Sequence, residues 1–253
     1  MKWSSHKKIT GKIGKYFGVR DTKALNEASI LPDKEYDYRI VKVKKHGKKY
    51  EKKVRLRHHL EPFIINKIID YTIEARRWKV RNSKNYIIPL GKAAHYIQDN
   101  VIDPRKKILF FKVKDKKTHD KIESQIDKLN VPFEEVYKVE KMKFTLSDFE
   151  KELKRRKPTT DPEKAMKNAT YLTAMLMKLV LKPEYPDNFW SKYRRIKIVT
   201  ILGAFFGIGV ISVGYIFSNP LIMLMGGSTT AAFLTNPLFW ERRKDAKFLR
   251  GDL

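Results

Sequence analysis

The stretch GKAAHYIQDN, residues 91–100, has the pattern of a helix that carries two polar side chains on one face. The first half of this stretch contains residues with small or no side chains, namely one glycine and two alanines. His95 and Asp99 are four residues apart, so on a helix their Cβ atoms lie ~6 Å apart. A histidine and a carboxylate at this spacing can bind the same zinc ion. One such pair is common in proteins, and the alternative is a solvated polar pair on the helix surface.

Hydrophobic periodicity outside this stretch predicts that the surrounding domain is mainly helical. In residues 61–78, apolar side chains recur at helical spacing. Pro89 suits the first turn of the helix that carries His95, and Asp161 followed by Pro162 is typical of a helix N-terminus. The predicted helices cover residues 4–15, 21–28, 61–78, 85–100, 145–156 and 160–181.

Two regions have strand-like patterns. Residues 38–57 alternate apolar and basic side chains on either side of His46 and Gly47, which predicts an exposed, strongly basic β-hairpin inserted in the helical domain. Residues 107–113 and 131–139 also have strand character, and a helical segment lies between them. The second region therefore predicts a strand–helix–strand unit.

The C-terminal part of the chain contains two long uncharged segments, residues 198–217 and 220–240. A helix needs ~20 apolar residues to cross a bilayer, so both segments predict transmembrane helices. The alternative is a buried helical pair in a soluble core, although such helices rarely run so long without a charge. Basic residues flank the pair in 192–197 and 241–250. The positive-inside rule then places both flanks in the cytoplasm.

These patterns divide the chain into three parts. Residues 1–190 are predicted to form a cytoplasmic helical domain, residues 191–240 a transmembrane hairpin and residues 241–253 a basic cytoplasmic tail. We therefore expect a multi-pass protein of the cell membrane with cytoplasmic N- and C-termini. Gly203 and Gly207 form a Gly-x-x-x-Gly motif, which permits close packing either within the hairpin or with another chain in self-association.

The composition of the 253 residues limits the classes of partner. Lys and Arg total 55 against 28 Asp and Glu, and the formal charge of +27 predicts attraction to anionic lipids or to nucleic acid. The absence of cysteine excludes a disulfide framework and any thiolate metal site. The N-terminal segment has no apolar run of signal-peptide length, so we expect no export by that route.

The other histidines favour the metal interpretation of His95 and Asp99. The chain has six histidines, and most of them open a predicted element or pair with a carboxylate at helical spacing. Asp33 lies in the proline-containing turn ILPD. Imidazole nitrogens and carboxylate oxygens are typical zinc ligands. The candidate metal ligands are His6, Asp33, His58, His59, His95, Asp99, His119 and Glu123.

The order of these motifs resembles that of the zinc-dependent phospholipase C family and its relatives, the single-strand-specific zinc nucleases. The matching motifs are Trp3 with His6, Asp33 in ILPD, His58 or His59, HYIQD at 95–99, and His119 with Glu123. The resemblance covers roughly residues 1–180. It implies a phospholipase C-like helical domain, which the basic hairpin interrupts and the two transmembrane helices follow.

By this resemblance the domain binds one to three zinc ions. The first ion would be held by Asp33, His95 and one of the two adjacent histidines that follow the hairpin. Asp99 would bridge this ion to a second ion beside His6. Clustered zinc ions activate a water molecule and neutralise the charge that grows on a phosphate ester.

The third ion of the resemblance would bind His119 and Glu123. A further histidine of the family pattern is replaced here by Arg105, so this ligand set is incomplete. The implied function is a membrane-anchored phosphodiester hydrolase, with a phosphodiester such as a lipid head group as substrate. The alternative is a non-catalytic basic membrane protein with an eroded metal site, which binds anionic lipid or nucleic acid.

Overall fold

A computed structural model of the chain describes residues 1–35, 37–45, 48–55, 63–103, 105–108 and 111–253. Within these residues the protein is mainly helical, as the hydrophobic periodicity predicts. Two antiparallel hairpins interrupt the helices. The elements are α1 Trp3–Tyr16, α2 Thr22–Ala28, α3 Leu31–Lys34, β1 Tyr38–Lys45, β2 Lys48–Arg55, α4 Ile64–Val80, α5 Ile87–Asn100, β3 Arg105–Ile108, β4 Phe111–Lys114, α6 Lys116–Lys128, α7 Phe133–Glu140, α8 Leu146–Arg155, α9 Pro162–Leu181, α10 Phe189–Ile216, α11 Pro220–Leu234 and α12 Pro237–Arg250.

Helix α5 lies at the centre of the domain. Its residues 93–99 are all buried, and it packs against α1, α2, α4 and α9. A Cβ atom at Gly91 would lie 2.7 Å from the carbonyl carbon of Ala28 and 2.9 Å from the nitrogen of Ser29. Real Cβ atoms do not approach backbone atoms so closely, so the glycine allows the end of α2 to contact α5 directly.

Side-chain caps fix where two of the long helices begin. The side chain of Asp161 accepts hydrogen bonds from the backbone N–H groups of Glu163 and Lys164, and Pro162 occupies the first turn. This arrangement confirms the predicted start of α9, whose residues 168–180 are buried. Helix α8 begins with a reciprocal capping box, which is typical of a helix N-terminus.

The region after α5 differs from the predicted strand–helix–strand unit. Of residues 107–113, predicted as one strand, residues 107–108 lie in β3 and residues 111–113 in β4, and these two strands pair antiparallel. Residues 131–139, predicted as a second strand, lie mainly in helix α7. Val136 and Val139 are both fully buried where α7 packs against α9. Burial of one face at helical spacing outweighs the β-branched composition that suggested a strand.

The basic hairpin is confirmed within the described residues. Strands β1 and β2 pair antiparallel along their whole length, and the turn at 46–47 lies outside the part of the chain that is described. Asp37 precedes β1 and accepts hydrogen bonds from the hydroxyl groups of Tyr71 on α4 and Tyr96 on α5. These bonds attach the base of the hairpin to the central helices.

One helix of the described residues, α10, is long and apolar enough to cross a membrane. Leu202, Phe205 and Phe206 on this helix are 62–68 % exposed. A helix in the core of a soluble domain would be covered by its neighbours, whereas the domain leaves this apolar surface open. The length, composition and exposure of α10 together indicate association with a membrane.

The second apolar segment forms a shorter helix than predicted. Residues 220–240 divide into the 15-residue helix α11, a break and the first turn of α12. The side chain of Asn236 accepts a hydrogen bond from the N–H of Leu238, and Pro237 begins α12. Because this cap starts a new helix, the predicted single helix is corrected to one that ends at Leu234.

Glycines bring α10 and α11 into close contact. Gly203 faces the ring of Phe233, and Gly207 faces Thr230 of α11. The Gly-x-x-x-Gly motif is therefore filled by the second helix of the same hairpin, which was one of the two predicted partners. Gly209 lies on a different face of α10, where a Cβ atom would meet nothing within 4 Å.

The C-terminal segment 241–253, predicted as a tail, is largely helical and packs on the domain. Helix α12 contacts α4 and α8, and the side chain of Phe248 is buried. Oδ1 of Asp245 accepts hydrogen bonds from the backbone N–H and the hydroxyl group of Ser147, both at 2.9 Å. The apolar hairpin is consequently attached to the domain at both of its ends.

We expect Gly207→Val to weaken the pairing of α10 with α11. A Cβ atom at this position would lie 2.7 Å from the nitrogen of Thr230 and 2.9 Å from the carbonyl oxygen of Gly226, so the helices must separate. The matched control is Gly209→Val on the open face. Thermal unfolding in detergent should show a fall of roughly 5 °C or more for Gly207→Val alone. Equal midpoints for both variants would contradict the packing described here.

Asp245 gives the protein a pH-dependent stability. Burial raises the pKa of this carboxyl group above its ordinary value of 3.8, although the hydrogen bonds from Ser147 oppose the shift. Its Oδ2 atom is buried and has no hydrogen-bond partner among the described residues. A raised pKa means that this group costs stability as the pH rises through the folded-state pKa, because the charge must then be buried.

We therefore expect Asp245→Asn to raise the unfolding temperature near neutral pH. Asparagine keeps the Oδ1 acceptor and removes the charge, so the advantage should shrink as the pH falls to about 4. Asp187→Asn, at a side chain that is 86 % exposed, is the control and should show no such trend. Thermal unfolding at a series of pH values measures both, and an advantage that does not vary with pH would exclude this origin.

Candidate metal centre

Helices α1, α3 and α5 bring together a buried group that can hold a metal ion. His6 comes from α1, Asp33 from α3 and His95 from α5, and one ligand atom of each lies within 4.8 Å of the others. Both histidines are fully buried, while the side chain of Asp33 is 29 % exposed. Asp99 completes the group, one helical turn after His95 on α5.

The tautomer of His95 is fixed by a backbone carbonyl. Its Nδ1 atom lies 2.8 Å from the carbonyl oxygen of Ser29. A carbonyl oxygen only accepts, so Nδ1 carries a hydrogen and donates it to this oxygen, which directs the Nε2 atom towards the neighbouring carboxylates. This Nε2 lies 3.3 Å from Oδ2 of Asp99 and 3.7 Å from Oδ1 of Asp33. The ring is therefore oriented as a metal ligand would be.

The tautomer of His6 is fixed by Gln98. The Nδ1 atom of His6 lies 2.7 Å from Oε1 of Gln98, whose Nε2 donates to the hydroxyl groups of Thr10 and Thr173. The amide oxygen is thus the acceptor, and the ring Nδ1 is the donor. The Nε2 atom of His6 is buried, without a hydrogen-bond partner in the described part of the chain, at 3.3 Å from Oδ1 of Asp99.

His6 is a neutral imidazole at physiological pH. Burial lowers its pKa to about 4, and the charges of His95 and of the Met1 amino group act in the same direction. The rings of His6 and His95 stack with centroids 4.2 Å apart and planes inclined at 25°. The Nε2 atoms of both rings thus face the two oxygens of one carboxylate, Asp99, each at 3.3 Å, and a metal ion could be held by these atoms.

The amino group of Met1 joins this centre to helix α6. It is buried, contacts Oδ1 of Asp99, and lies 2.9 Å from Oε1 of Glu123. Burial lowers the pKa of this amino group, but the two carboxylates raise it more, so that the net pKa lies above the ordinary value of 8.0. Glu123 also lies 3.2 Å from Nε2 of His119. With Asp120, these two residues form a second group that can hold a metal ion.

Solvent reaches the centre on the side of α3. The indole nitrogen of Trp3 donates to Oδ2 of Asp33 at 2.8 Å, and the ring of Trp3 is 48 % exposed. The ammonium group of Lys34 lies 5.3 Å from the centroid of that ring. The same ammonium group lies 3.4 Å from Oε2 of Glu27.

The family pattern has three further positions, which His58, His59 and Arg105 occupy. His58 and His59 lie outside the described residues, so their part in the centre stays a prediction. Arg105, which stands where the family pattern has a histidine, makes a bidentate ion pair with Asp103 at 2.7 and 2.9 Å. Its charge is thus directed at a neighbouring carboxylate.

Sequence reasoning missed three contributors to the centre. Gln98, the Ser29 carbonyl group and the Met1 amino group each contact a candidate ligand directly. Gln98 lies inside the HYIQD motif, and its place next to Asp99 on a helix was the one available signal. No family model matches the chain, and no curated protein or solved structure is detectably similar to it.

Gln98 provides a test of the imidazole orientation. If the centre holds a metal ion, we expect Gln98→Met to weaken its binding by roughly 10–100-fold, because methionine fills the space without accepting from Nδ1 of His6. Gln98→Glu is the matched control, since it retains an acceptor at the same place. Competition against a chelator of known affinity would measure the dissociation constants. Unchanged affinity in the methionine variant would show that Gln98 does not orient a ligand.

Proposed function

We propose that this protein is a membrane-anchored, zinc-dependent phosphodiester hydrolase. The observation that carries the proposal is the convergence of two Nε2 atoms, from His6 and His95, on the two oxygens of Asp99. The resemblance to the zinc-dependent phospholipase C family supports the same reading, because it assigns these three residues to a cluster of zinc ions.

The donor set suits zinc better than a hard cation such as magnesium. Imidazole nitrogen and carboxylate oxygen are common zinc ligands, whereas magnesium favours oxygen ligands and water. Asp33, His95 and Oδ2 of Asp99 would hold one ion, with a contribution from His58 or His59 by the resemblance. His6 and Asp99 would hold a second ion.

The chain contributes orientation and access to the reaction. Zinc ions in this centre would supply an activated water and neutralise the charge that develops on the phosphate. Trp3 holds the Asp33 carboxylate in place, and Lys34 lies beside the opening. In the hydrolysis, the oxygen of water bonds to phosphorus, one P–O ester bond breaks, and the alcohol leaves with a proton.

The apolar hairpin would hold the centre at the membrane surface. We propose that both α10 and α11 lie in the bilayer, as a hairpin with both chain termini on the cytoplasmic side. The 15 residues of α11 span ~22 Å, which is short for the hydrocarbon core, and its close pairing with α10 would compensate. Basic residues of the domain would attract anionic lipids, so a lipid phosphodiester is the favoured substrate class.

The second candidate is a binding protein in which the centre no longer turns over. The observation that favours it is the basic hairpin, which carries exposed Ile40 and Tyr50 beside its lysines and suits contact with anionic lipid or nucleic acid. The incomplete third ligand set at Arg105 agrees with such a loss. This candidate predicts metal binding without hydrolysis, or neither property.

Metal content and hydrolysis distinguish the two candidates. We expect the wild-type protein in detergent, after reconstitution with zinc, to hold about one to three zinc ions and to cleave a chromogenic phosphodiester and a phospholipid. The double variant His95→Ala, Asp99→Ala should lose both properties, while Asp187→Ala, at an exposed carboxylate, should lose neither. Zinc content is measured by mass spectrometry of the metal, and thermal unfolding shows that each variant is folded.

The outcomes separate cleanly. Zinc that disappears in the double variant, without any hydrolysis in the wild type, would support the binding protein. Wild-type protein that holds no zinc after reconstitution would overturn the metal centre itself. Hydrolysis that persists in the double variant would show that another part of the chain is responsible.

A further inference from the structure

A groove runs between the first half of α10 and helix α12, where the domain meets the apolar hairpin. It consists of two cavities of about 390 and 330 Å³ that share Phe239 and Arg243 as lining residues. We call this feature the stalk groove. Its two halves have opposite chemical character, with a basic end next to the domain and an apolar end along the hairpin.

The basic end concentrates cations that form no ion pair among the described residues, although Arg243 and Arg250 lie over the rings of Trp240 and Trp190. Arg243, Lys247 and Arg250 follow one another at helical spacing on one face of α12, and Lys197 of α10 lies opposite. None of the four makes an ion pair with any described residue, although the carboxylate of Asp252 also lines this end. Net positive charge in a concave site favours an anion.

The opposite face of α12 behaves differently. Lys244 pairs with Glu150 at 2.8 Å, and Glu241 pairs with Lys151 at 2.5 Å, both across the contact with α8. Lys244 and Glu241, which face α8, are therefore each matched by a charge of opposite sign. On the face that lines the stalk groove, Arg243, Lys247 and Arg250 have no such ion pair among the described residues.

The apolar end is lined by aliphatic and aromatic side chains. Ile201, Phe205 and Ile208 of α10 face Leu234 across the cavity. Apart from the shared Arg243, this end also contains Thr200, which is 4 % exposed and whose Oγ1 atom has no hydrogen-bond partner among the described residues. It lies one turn beyond Lys197, at the boundary between the two ends, where a buried hydroxyl group needs an acceptor.

The dimensions of the groove match one leaflet of a bilayer. Along α10, the basic end from Tyr193 to Lys197 covers ~6 Å, and the apolar end from Thr200 to Ile208 covers ~12 Å. A headgroup layer is about 5–7 Å thick, and half of the hydrocarbon core is about 15 Å thick. The order of charge, hydroxyl group and apolar wall therefore follows the order of phosphate, ester and acyl chain in a phospholipid.

We propose that the stalk groove binds one anionic phospholipid. The phosphate lies among Arg243, Lys247 and Arg250, an ester carbonyl accepts from the hydroxyl group of Thr200, and an acyl chain fills the apolar end. The site requires that α10 lie in a membrane, which is part of the proposed function, but it is separate from the metal centre and does not depend on hydrolysis. The lipid stays bound between α10 and α12 and is not a substrate of the metal centre.

The shape of the groove favours a lipid over other occupants. A soluble phosphate would use the basic end only and leave the apolar end without a role. A second copy of the chain would bring the same cations against these cations, because a symmetric contact places like surfaces together. A phospholipid satisfies the charge, the hydroxyl group and the apolar wall at once.

The test measures lipid retention by the full chain in detergent, with native mass spectrometry. The probes are phosphatidylglycerol and phosphatidylcholine with identical acyl chains, and glycerol 3-phosphate as a headgroup without chains. We expect one phosphatidylglycerol per chain, held about tenfold or more tightly than phosphatidylcholine, and weak binding of glycerol 3-phosphate. Zinc content is recorded in parallel, so loss of the metal centre is distinguished from loss of the lipid.

Two pairs of variants locate the site. Arg243→Gln with Lys247→Gln should weaken phosphatidylglycerol binding by about tenfold or more. Arg194→Gln with Arg195→Gln removes the same charge at the same depth from exposed positions, and should change binding by less than about twofold. Ala204→Phe, which fills the apolar end, should also reduce retention, whereas Leu202→Phe on the exposed face should not. The two phenylalanine variants keep the test decisive if the glutamine pair does not fold.

Specific results would overturn the proposal. Equal losses in the two glutamine pairs would indicate general surface attraction rather than a site. Equal retention of both phospholipids would remove the role of the basic end, and tight binding of glycerol 3-phosphate would indicate a soluble ligand. A dimer that replaces the lipid, and that the groove variants abolish, would show that a second copy occupies the groove.

Discussion

The contact between α5 and the end of α2 is the constraint on which the metal centre depends. Because Gly91 has no side chain, the backbone at Ala28 and Ser29 lies directly on α5. One helical turn later, the same segment presents the Ser29 carbonyl group to Nδ1 of His95 at 2.8 Å. A larger residue at position 91 would push the two segments apart, and the imidazole would lose the acceptor that fixes its tautomer. The contact between Gly91 and the segment Ala28–Ser29 thus determines both the packing of α2 on α5 and the orientation of the His95 ring.

The centre is costly for the fold in the absence of a cation. Two imidazoles, a carboxylate and an amino group lie in the buried interior, where an unsatisfied polar group costs ~1–3 kcal/mol. Gln98 satisfies one side of His6, and the Met1 amino group offsets part of the charge of Asp99. The Nε2 atom of His6 is left without such a partner among the described residues. Proteins keep such clusters where function requires them, which is the physical basis of the proposed metal site.

The membrane-associated part is built as an extension of the domain. Helix α12 returns from the apolar hairpin and buries Phe248 and Asp245 against the domain, so the hairpin is held at both ends. Matched charges fix α12 on the side of α8, and unmatched charges remain on the side of α10. Helix α12 therefore connects the hairpin to the domain on one face and lines the basic end of the stalk groove on the other. A lipid in that groove would connect the position of the domain to the composition of the membrane.

The sequence by itself determined the helical class, the basic hairpin, the apolar character of α10 and the cap of α9 at Asp161. These features depend on residues within a few positions of one another, and hydrophobic periodicity, capping side chains and charge runs report them directly. The HYIQD motif also showed that His95 and Asp99 share a helix face. Where local preference and packing disagreed, as in residues 131–139, the local pattern predicted a strand and the burial of one helix face prevailed.

Only the tertiary structure decided how the centre is completed and where the C-terminal segment lies. His6 and Gln98 are 92 residues apart in sequence, and the Met1 amino group and Asp99 are 98 apart. No local sequence pattern predicts contacts between residues so far apart, because these contacts depend on how α1, α5 and α6 pack together. The docking of α12 likewise depends on Ser147, to which Asp245 bonds across 98 residues. The sequence names the side chains that can do chemistry, and the packing of distant helices decides which of them meet.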